Sequence, residues 1–186
     1  RRRQRQMCIR DRLKVEPGTA FYRSPPAGLP DGDAAADFYL YAVQQLEAAG
    51  YRQYEISNFA RPGHEGRHNL LYWNCNDYWG IGPAAHSCVD NVRRFWPGDV
   101  QGFIDGTIHE EIEGDCTVED YLLMQLRLVS GLDIAEYERR GGRFTAAQRA
   151  FMRQCVGHEY ATLDGNVFRL TPAGMVVQNA ILAELI

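Results

Sequence analysis

The sequence lacks long apolar runs and paired cysteines. No stretch reaches the roughly 18 apolar residues that a membrane-spanning helix needs. Of the five cysteines, none form a C-x-x-C pair or a triplet with the spacing of an iron–sulfur site. We expect those after the first dozen residues to be buried or idle thiols that bind no cluster in this chain: Cys75, Cys88, Cys116 and Cys155. Scattered cysteines also favour a reducing compartment, so the sequence predicts a cytoplasmic location.

Basic residues are scarce outside the N-terminus. The first twelve residues, RRRQRQMCIRDR, carry six arginines and one aspartate, and without them the formal net charge of −4 becomes −9. A codon string that translates as Arg2 to Asp11 resembles a transposase-type sequencing adapter. We therefore expect residues 1–12 to be an assembly artefact; the alternative is a disordered basic arm that binds nucleic acid. The acidic remainder has no electrostatic basis for holding nucleic acid.

The first part of the remaining chain has the pattern of an α/β structure. Asp31 or Asp33 can cap a helix that ends at Gly50. Its predicted apolar stripe consists of Phe38, Ala42, Leu46 and Ala49. A strand over residues 51–57 follows, and VRRFW at residues 92–96 predicts another. An extended piece, a helix and a strand in about 45 residues are typical of a parallel α/β sheet.

A glycine-rich, acidic stretch places a domain boundary near residue 114, and the chain beyond it is predicted to be mainly helical. Four capping residues open helices here: Thr117, Asp133, Thr145 and Thr171. A turn at Gly165 predicts a hairpin before the last helix. Helices followed by a hairpin predict a winged-helix-like module. Residues 117–186 contain seven arginines, no lysine and eight acidic residues, which argues against DNA binding.

Three segments carry a family resemblance: VEPGT, YEISNFARPGHEGRHNLLYWNCNDYWGIGPAAHS and the terminal LTPAGMVVQNAILAELI. Together they resemble the oxygen-independent coproporphyrinogen III oxidase-like radical SAM family from Leu13 to Ile186. The element His68-Asn69-x-x-Tyr72-Trp73 is associated with its HemW-type heme chaperones rather than with the decarboxylating oxidase. Two positions depart from the family pattern, Pro83 and Pro97, which puts the local loop geometry in doubt.

The resemblance implies a partial TIM-like barrel that carries a [4Fe–4S] cluster and S-adenosylmethionine, followed by a small helical domain. Residues 13–114 would then be the last strands and helices of the barrel, and residues 115–186 the winged-helix-like C-terminal domain. The family's cluster motif, C-x-x-x-C-x-x-C, lies near the N-terminus of the full-length proteins and is missing here. We therefore expect the chain to be a C-terminal fragment.

Two functions follow from the resemblance. The first is a chaperone that binds heme and delivers it to acceptor proteins, with the cluster and S-adenosylmethionine in the parent protein. The alternative is a radical SAM oxidase that decarboxylates coproporphyrinogen III in porphyrin biosynthesis. Whether the parent is an enzyme, and whether it forms a homodimer, stays open at this stage.

The resemblance and the residue types together suggest a heme site. Heme iron accepts an imidazole ligand, and its flat macrocycle packs well against aromatic rings. His68 would supply the ligand, with Tyr72 and Trp73 beside the porphyrin and Arg67 on a propionate. His86 is a second candidate ligand. The structural alternative is that the aromatic residues form core where the barrel meets the C-terminal domain.

Glu55 and a pair of glycines are two further features of the motif region, and Glu55 allows two explanations. Glu55 is either a buried carboxylate at a strand end, where parallel barrels place their chemistry, or half of an ion pair with Arg61 or Arg67. Gly80 and Gly82 mark a close backbone approach at a strand end.

Overall fold

The computed structural model describes Met7–Ile9, residue 15 and residues 17–186. The predicted extended piece at Leu13 lies outside the described residues. The proposed artefact is described only at Met7–Ile9, where the backbone forms a strand, so the artefact hypothesis stays a prediction. None of the helices within these ranges is long and apolar enough to cross a membrane.

Helices and strands alternate along the described chain. The strands are β1 (Met7–Ile9), β2 (Arg52–Glu55), β3 (Asn58–Ala60), β4 (His86–Val89), β5 (Val92–Phe95), β6 (Glu111–Asp115), β7 (Leu132–Asp133), β8 (Ala161–Asp164) and β9 (Val167–Leu170). The helices are α1 (Ala20–Arg23), α2 (Gly32–Ala48), α3 (Arg67–Trp73), α4 (Val100–Asp105), α5 (Val118–Gln125), α6 (Ile134–Arg139), α7 (Ala146–Gly157), α8 (Pro172–Val176) and α9 (Gln178–Leu185). The strands form three small sheets, so the described fold is α/β.

The first sheet corrects the predicted parallel arrangement. Its order is β1-β3-β2, and β3 pairs antiparallel with both neighbours. The predicted strand at residues 51–57 ends at Glu55, and Ile56 and Ser57 form a tight turn into β3. A two-residue turn forces the strands on either side of it to run antiparallel. No closed barrel is present in the described part of the chain.

Helix α2 begins as predicted and packs Leu46 of the predicted stripe against the core, but its most buried residues lie outside that stripe. The Asp31 side chain accepts a hydrogen bond from the Ala34 amide at 2.8 Å. The buried residues are Tyr39 and Val43, whereas Phe38 in the predicted stripe is 59% exposed. Apolar side chains occur all round this helix, so their spacing alone could not select the buried face.

The second sheet has the order β4-β5-β6, and both pairings are antiparallel. Strand β5 confirms the strand predicted from VRRFW. A short extended stretch lies along the free side of β4, where Tyr78 forms a β-bridge with Cys88. The sheet therefore joins the end of the sequence motif to strand β4.

The C-terminal residues follow the predicted caps closely. Thr117 forms a capping box with Asp120, and Thr145 forms one with Gln148. Strands β8 and β9 form the predicted hairpin, and β7 extends it into a sheet of order β7-β9-β8. The last helix begins at the predicted Thr171 cap but is interrupted at Val177, which separates α8 from α9.

One hydrophobic core spans the predicted domain boundary. Phe59 of β3 belongs to the same buried cluster as Leu122, Leu126 and Phe168. The backbone also links the two parts, because the Ile56 amide donates to the Arg127 carbonyl at 3.0 Å. The division at residue 114 stays a prediction, and residues on both sides of it position the site below.

Candidate functional site

Helix α3 holds most of the predicted site residues on one short element. It spans Arg67–Trp73 and begins after Gly66, which makes no side-chain cap. Tyr54 of β2 supports this end: burial raises the pKa of its phenol, and hydrogen bonds with the Gly66 backbone and the Asn69 side chain oppose that rise. Asn69 therefore ties the start of α3 to the first sheet.

Three rings form a cluster that runs from α3 to the second sheet. His68 and Tyr72 lie one turn apart, with ring centroids 4.9 Å apart in an edge-to-face arrangement. Their Nε2 and Oη atoms are 3.3 Å apart. Tyr72 in turn packs edge-to-face on Tyr78, with centroids 4.4 Å apart. His68 is exposed and the two tyrosines are half-buried, so the imidazole is the solvent end of the cluster.

Trp73 faces a different environment from His68. The Arg127 guanidinium lies over its indole, 4.4 Å from the ring centroid. The indole Nε1 is buried and has no hydrogen-bond partner among the described residues. The Trp73 carbonyl accepts a hydrogen bond from Gln125 Nε2 at 2.7 Å, which joins the end of α3 to α5. Trp73 thus fixes the helix against the C-terminal residues.

Glu55 is fully buried and pairs with an arginine that the sequence did not suggest. Its Oε1 accepts hydrogen bonds from the Ser57 amide at 2.9 Å and from Asn58 Nδ2 at 2.6 Å. Its Oε2 lies 3.7 Å from Arg127 Nη2, so the ion-pair partner is Arg127 and not Arg61 or Arg67. Arg127 therefore connects the buried carboxylate to the Trp73 ring.

His86 lies on β4 and stays outside the ring cluster. Its imidazole is exposed, stacks on Phe95 with centroids 5.8 Å apart, and has Nδ1 3.5 Å from Glu113 Oε2. Within the described ranges, no hydrogen bond or ring contact joins it to His68. The two departures from the family pattern lie nearby in separate segments, Pro83 before β4 and Pro97 after β5, and the amide of Ala84 donates to the Pro97 carbonyl at 3.3 Å.

The last basic candidate, Arg67, and the other histidines lie on the surface. Arg67 is exposed at the first position of α3, where its guanidinium is accessible to an anionic group. The three other histidines in the described residues are exposed: His64, His109 and His158. The predicted heme roles of Arg67, His68, Tyr72, Trp73 and His86 stay predictions.

Sequence reasoning missed a contact between two thiols. Cys88 of β4 and Cys116 after β6 have their Sγ atoms 3.1 Å apart. Both are free thiols, and burial raises the pKa of Cys116 to about 12. Nothing local in the sequence signals this contact, because the two residues meet only through the pairing of β4, β5 and β6.

Gly80 confirms the predicted close approach of two backbones, whereas the prediction is wrong for Gly82, since none of the described residues lies within 4 Å of a Cβ placed there. A Cβ at this position would lie 2.2 Å from the His86 carbonyl oxygen. We predict that Gly80→Ala lowers the free energy of unfolding by about 1–3 kcal/mol, because the strand must shift. Gly98→Ala is the matched control, since its Cβ would meet only Ala84 at 3.9 Å. Equal urea midpoints for the two variants would contradict the prediction.

Comparison with known proteins identifies relatives along most of the chain. Residues 117–177 match the domain described as the HemN C-terminal domain. The heme chaperone HemW of Escherichia coli K12 is 32% identical over 178 residues, covering 91% of this chain and 47% of that protein. HemW of Mycobacterium tuberculosis H37Rv is 32% identical over 186 residues, covering 94% and 46%. The chain is related to the HemW-type heme chaperones.

The HemW-type relationship agrees with the fold. A solved structure of E. coli coproporphyrinogen III oxidase, HemN, described as a radical SAM enzyme, superimposes with a TM-score of 0.61. The superposition covers 85% of this chain and 42% of the HemN chain at 18% sequence identity. At that identity the match supports the fold alone. The chain spans about half the length of the HemW proteins that it matches. The HemN C-terminal domain match contains α5 to α8.

Proposed function

We propose that the chain is the heme-binding part of a heme chaperone, which holds heme at α3 and passes it to acceptor proteins. The observation that carries the proposal is an exposed imidazole, His68, at the end of a ring cluster in a HemW-type chain. An exposed histidine supported by packed aromatic rings can ligate heme iron without rearrangement of the core.

The surface near this cluster suits a flat apolar ligand. Tyr72 and Tyr78 present half-buried rings. Trp79 and Ile81, next in the chain, are 68% and 89% exposed. Large exposed apolar side chains that lie close in sequence are typical of a binding surface. Arg67 would then pair with a heme propionate at the start of the helix.

The Tyr72 hydroxyl controls which imidazole nitrogen is available to iron. If Nε2 carries the proton and donates to Tyr72 Oη, the lone pair is on Nδ1. If the hydroxyl donates to Nε2, iron must displace that hydrogen bond in order to bind there. Tyr72 therefore acts as a partner of the ligand as well as a face for the porphyrin.

Trp73 and His86 have narrower roles in this proposal. Because Arg127 covers one face of the Trp73 indole, Trp73 can meet a porphyrin only with its edge or its opposite face. His86 is held apart by Phe95 and Glu113, so it would serve as a second ligand only if heme bridged α3 and β4.

For the whole protein, we propose the features of the radical SAM family to which the relatives point. These are a [4Fe–4S] cluster and S-adenosylmethionine bound by an adjoining barrel, a division of this chain near residue 114, a winged-helix-like C-terminal domain and a cytoplasmic location. The order of α5, β7, α6, α7, β8 and β9 supports the winged-helix-like assignment. The oxidase alternative has less support, since the E. coli and M. tuberculosis relatives at 32% identity are named heme chaperones, whereas the E. coli HemN structure is 18% identical.

Heme transfer tests the proposed function. The full chain, loaded with one equivalent of heme, is mixed with an apo-globin, and the Soret band is followed with time. We expect the spectrum of the chain to convert to that of the holo-globin, because a chaperone must bind heme more weakly than its acceptor does. Heme on serum albumin provides the comparison for passive exchange. A chain that takes up no heme, or that transfers it no faster than albumin, would contradict the proposal.

A further inference from the structure

The two neighbouring thiols, Cys88 and Cys116, are each held in place by backbone hydrogen bonds. The Cys88 amide donates to the Tyr78 carbonyl at 3.0 Å, and the Tyr78 amide donates to the Cys88 carbonyl at 2.8 Å. The Cys116 amide donates to the Asn91 carbonyl at 2.8 Å, and the Asn91 side chain donates to the Cys116 carbonyl at 2.8 Å. Their Sγ atoms, 3.1 Å apart, therefore meet because of the sheet itself and not through loose side chains.

Of the two thiols, Cys116 is the more accessible to solvent. Cys88 is buried, whereas Cys116 is partly exposed and lines a cavity of about 360 Å³. Cys75, Tyr121 and Arg140 also line this cavity. A small oxidant can therefore reach Cys116 first, with the buried Cys88 thiol already in contact behind it.

We propose that Cys88 and Cys116 are a redox-active dithiol, which a hydroperoxide oxidises to an intramolecular disulfide. The Cys116 thiolate attacks the peroxide; an S–O bond forms, the O–O bond breaks, and water leaves after protonation. The Cys88 sulfur then attacks the sulfenic acid, the S–S bond forms, and a second water leaves. Two thiols and one hydrogen peroxide thus give one disulfide and two waters.

The S–S bond requires a movement of only about 1 Å from the thiol contact, since a disulfide is about 2.05 Å long. The new bond would connect β4 to the residue that follows β6, and β4 and β6 are the strands on the two sides of β5 in the sheet. This inference does not require heme binding, because it uses only the backbone of Tyr78 and neither His68 nor Tyr72.

Burial sets the rate of the first step. Desolvation and the neighbouring Cys88 raise the pKa of Cys116 to about 12, so little thiolate exists at neutral pH. The groups that shift the pKa of Cys116 are Cys88 of β4, Arg93 of β5 and Asp120 of α5. Those that shift the pKa of Cys75, in the same cavity, are Cys116, Arg140 after α6 and Asp120. We expect the oxidation rate to rise about tenfold per pH unit between about pH 7 and 9, because the thiolate fraction does. A rate independent of pH would contradict entry through Cys116.

Disulfide mapping of the full chain tests the proposal. The folded chain is treated with hydrogen peroxide, remaining thiols are alkylated, and a protease that cleaves before aspartate is added. Cleavage at Asp77 separates Cys75 from Cys88, which trypsin cannot do. We expect one linked pair of peptides, carrying Cys88 and Cys116, that dithiothreitol separates. A link from Cys75 to Cys116, over-oxidation of Cys116 without a link, or no reaction would overturn the proposal.

Two variants make the mapping sharper. Cys75→Ser is the matched control, since it removes a thiol from the same cavity and should leave the Cys88–Cys116 link unchanged. Cys88→Ser removes the second thiol, so Cys116 should accumulate as a sulfenic acid that dimedone labels. Loss of the link in Cys75→Ser would show that the disulfide forms by way of Cys75 and would overturn the direct step from Cys116 to Cys88. The unaltered chain already gives a decisive result if Cys88→Ser fails to fold.

Discussion

Arg127→Ala is expected to lower the free energy of unfolding by about 3–5 kcal/mol. Glu55 is fully buried, and Arg127 is the cation that lies beside its Oε2. Removal of the guanidinium leaves a carboxylate in a low-dielectric interior with only the hydrogen bonds to its other oxygen. A buried charge without its partner costs far more than the loss of a surface ion pair.

The same substitution also removes a contact that supports Trp73 at the end of helix α3. Arg127 lies over the Trp73 indole, and a partly desolvated cation–π contact of this kind contributes about 1–2 kcal/mol. Trp73 ends helix α3, so its loosening should increase the motion of His68 and Tyr72 on the preceding turn. We therefore expect Arg127→Ala to weaken heme binding as well as stability, although Arg127 lies away from the exposed imidazole.

Urea denaturation followed by tryptophan fluorescence and circular dichroism measures the effect. Arg139→Ala is the control, because Arg139 is 71% exposed and pairs with Glu136 on the surface. This control should change stability by less than about 1 kcal/mol. Glu55→Gln in the Arg127→Ala background should recover part of the loss, since a neutral amide costs less to bury than a carboxylate. If Arg127→Ala and Arg139→Ala have the same midpoint, the buried pair has no structural importance.

His68→Ala is expected to weaken heme binding by at least about tenfold, which corresponds to about 1.4 kcal/mol. In the proposed function the imidazole supplies the axial ligand, and alanine leaves only the apolar and propionate contacts. Heme titration monitored at the Soret band gives the dissociation constants. His64→Ala is the matched control, since His64 is an exposed histidine in the loop before α3 and should leave the affinity unchanged. Equal affinities for the two variants would exclude His68 as the main ligand.

Local features of the fold were predictable because they depend on neighbouring residues. Thr117 and Thr145 form their capping boxes with side chains only three positions away. The hairpin of β8 and β9 follows from turn residues between two β-prone runs. Such interactions are complete within a few residues, so the sequence alone is sufficient to predict them.

Features that depend on distant contacts were not predictable. The apolar spacing predicts the stripe that contains Phe38, whereas the structure buries Tyr39 and Val43, because the buried face depends on contacts such as that of Tyr39 with Met175. The Arg127 partner of Glu55 is 72 positions away in the chain. Nothing within either segment specifies that they meet, because the pairing results from packing of the whole core.

The arrangement of the candidate site was not predictable from the motif. His68, Tyr72 and Trp73 lie within six residues and share helix α3, while their heme roles stay predictions. It did not indicate that His68 would be exposed while Trp73 would pack under Arg127. That difference follows from the helical spacing of the residues once α3 rests on α5.

The most direct test of the central claim, that His68 ligates heme, is chemical rescue of the axial ligand. The chain with His68→Gly is loaded with heme, and its optical and electron paramagnetic resonance spectra are recorded without and with free imidazole. We expect loss of the histidine-ligated spectrum in the variant and its return when imidazole fills the vacated position. Spectra that are identical in the unaltered chain and in His68→Gly without imidazole would exclude His68 as the ligand.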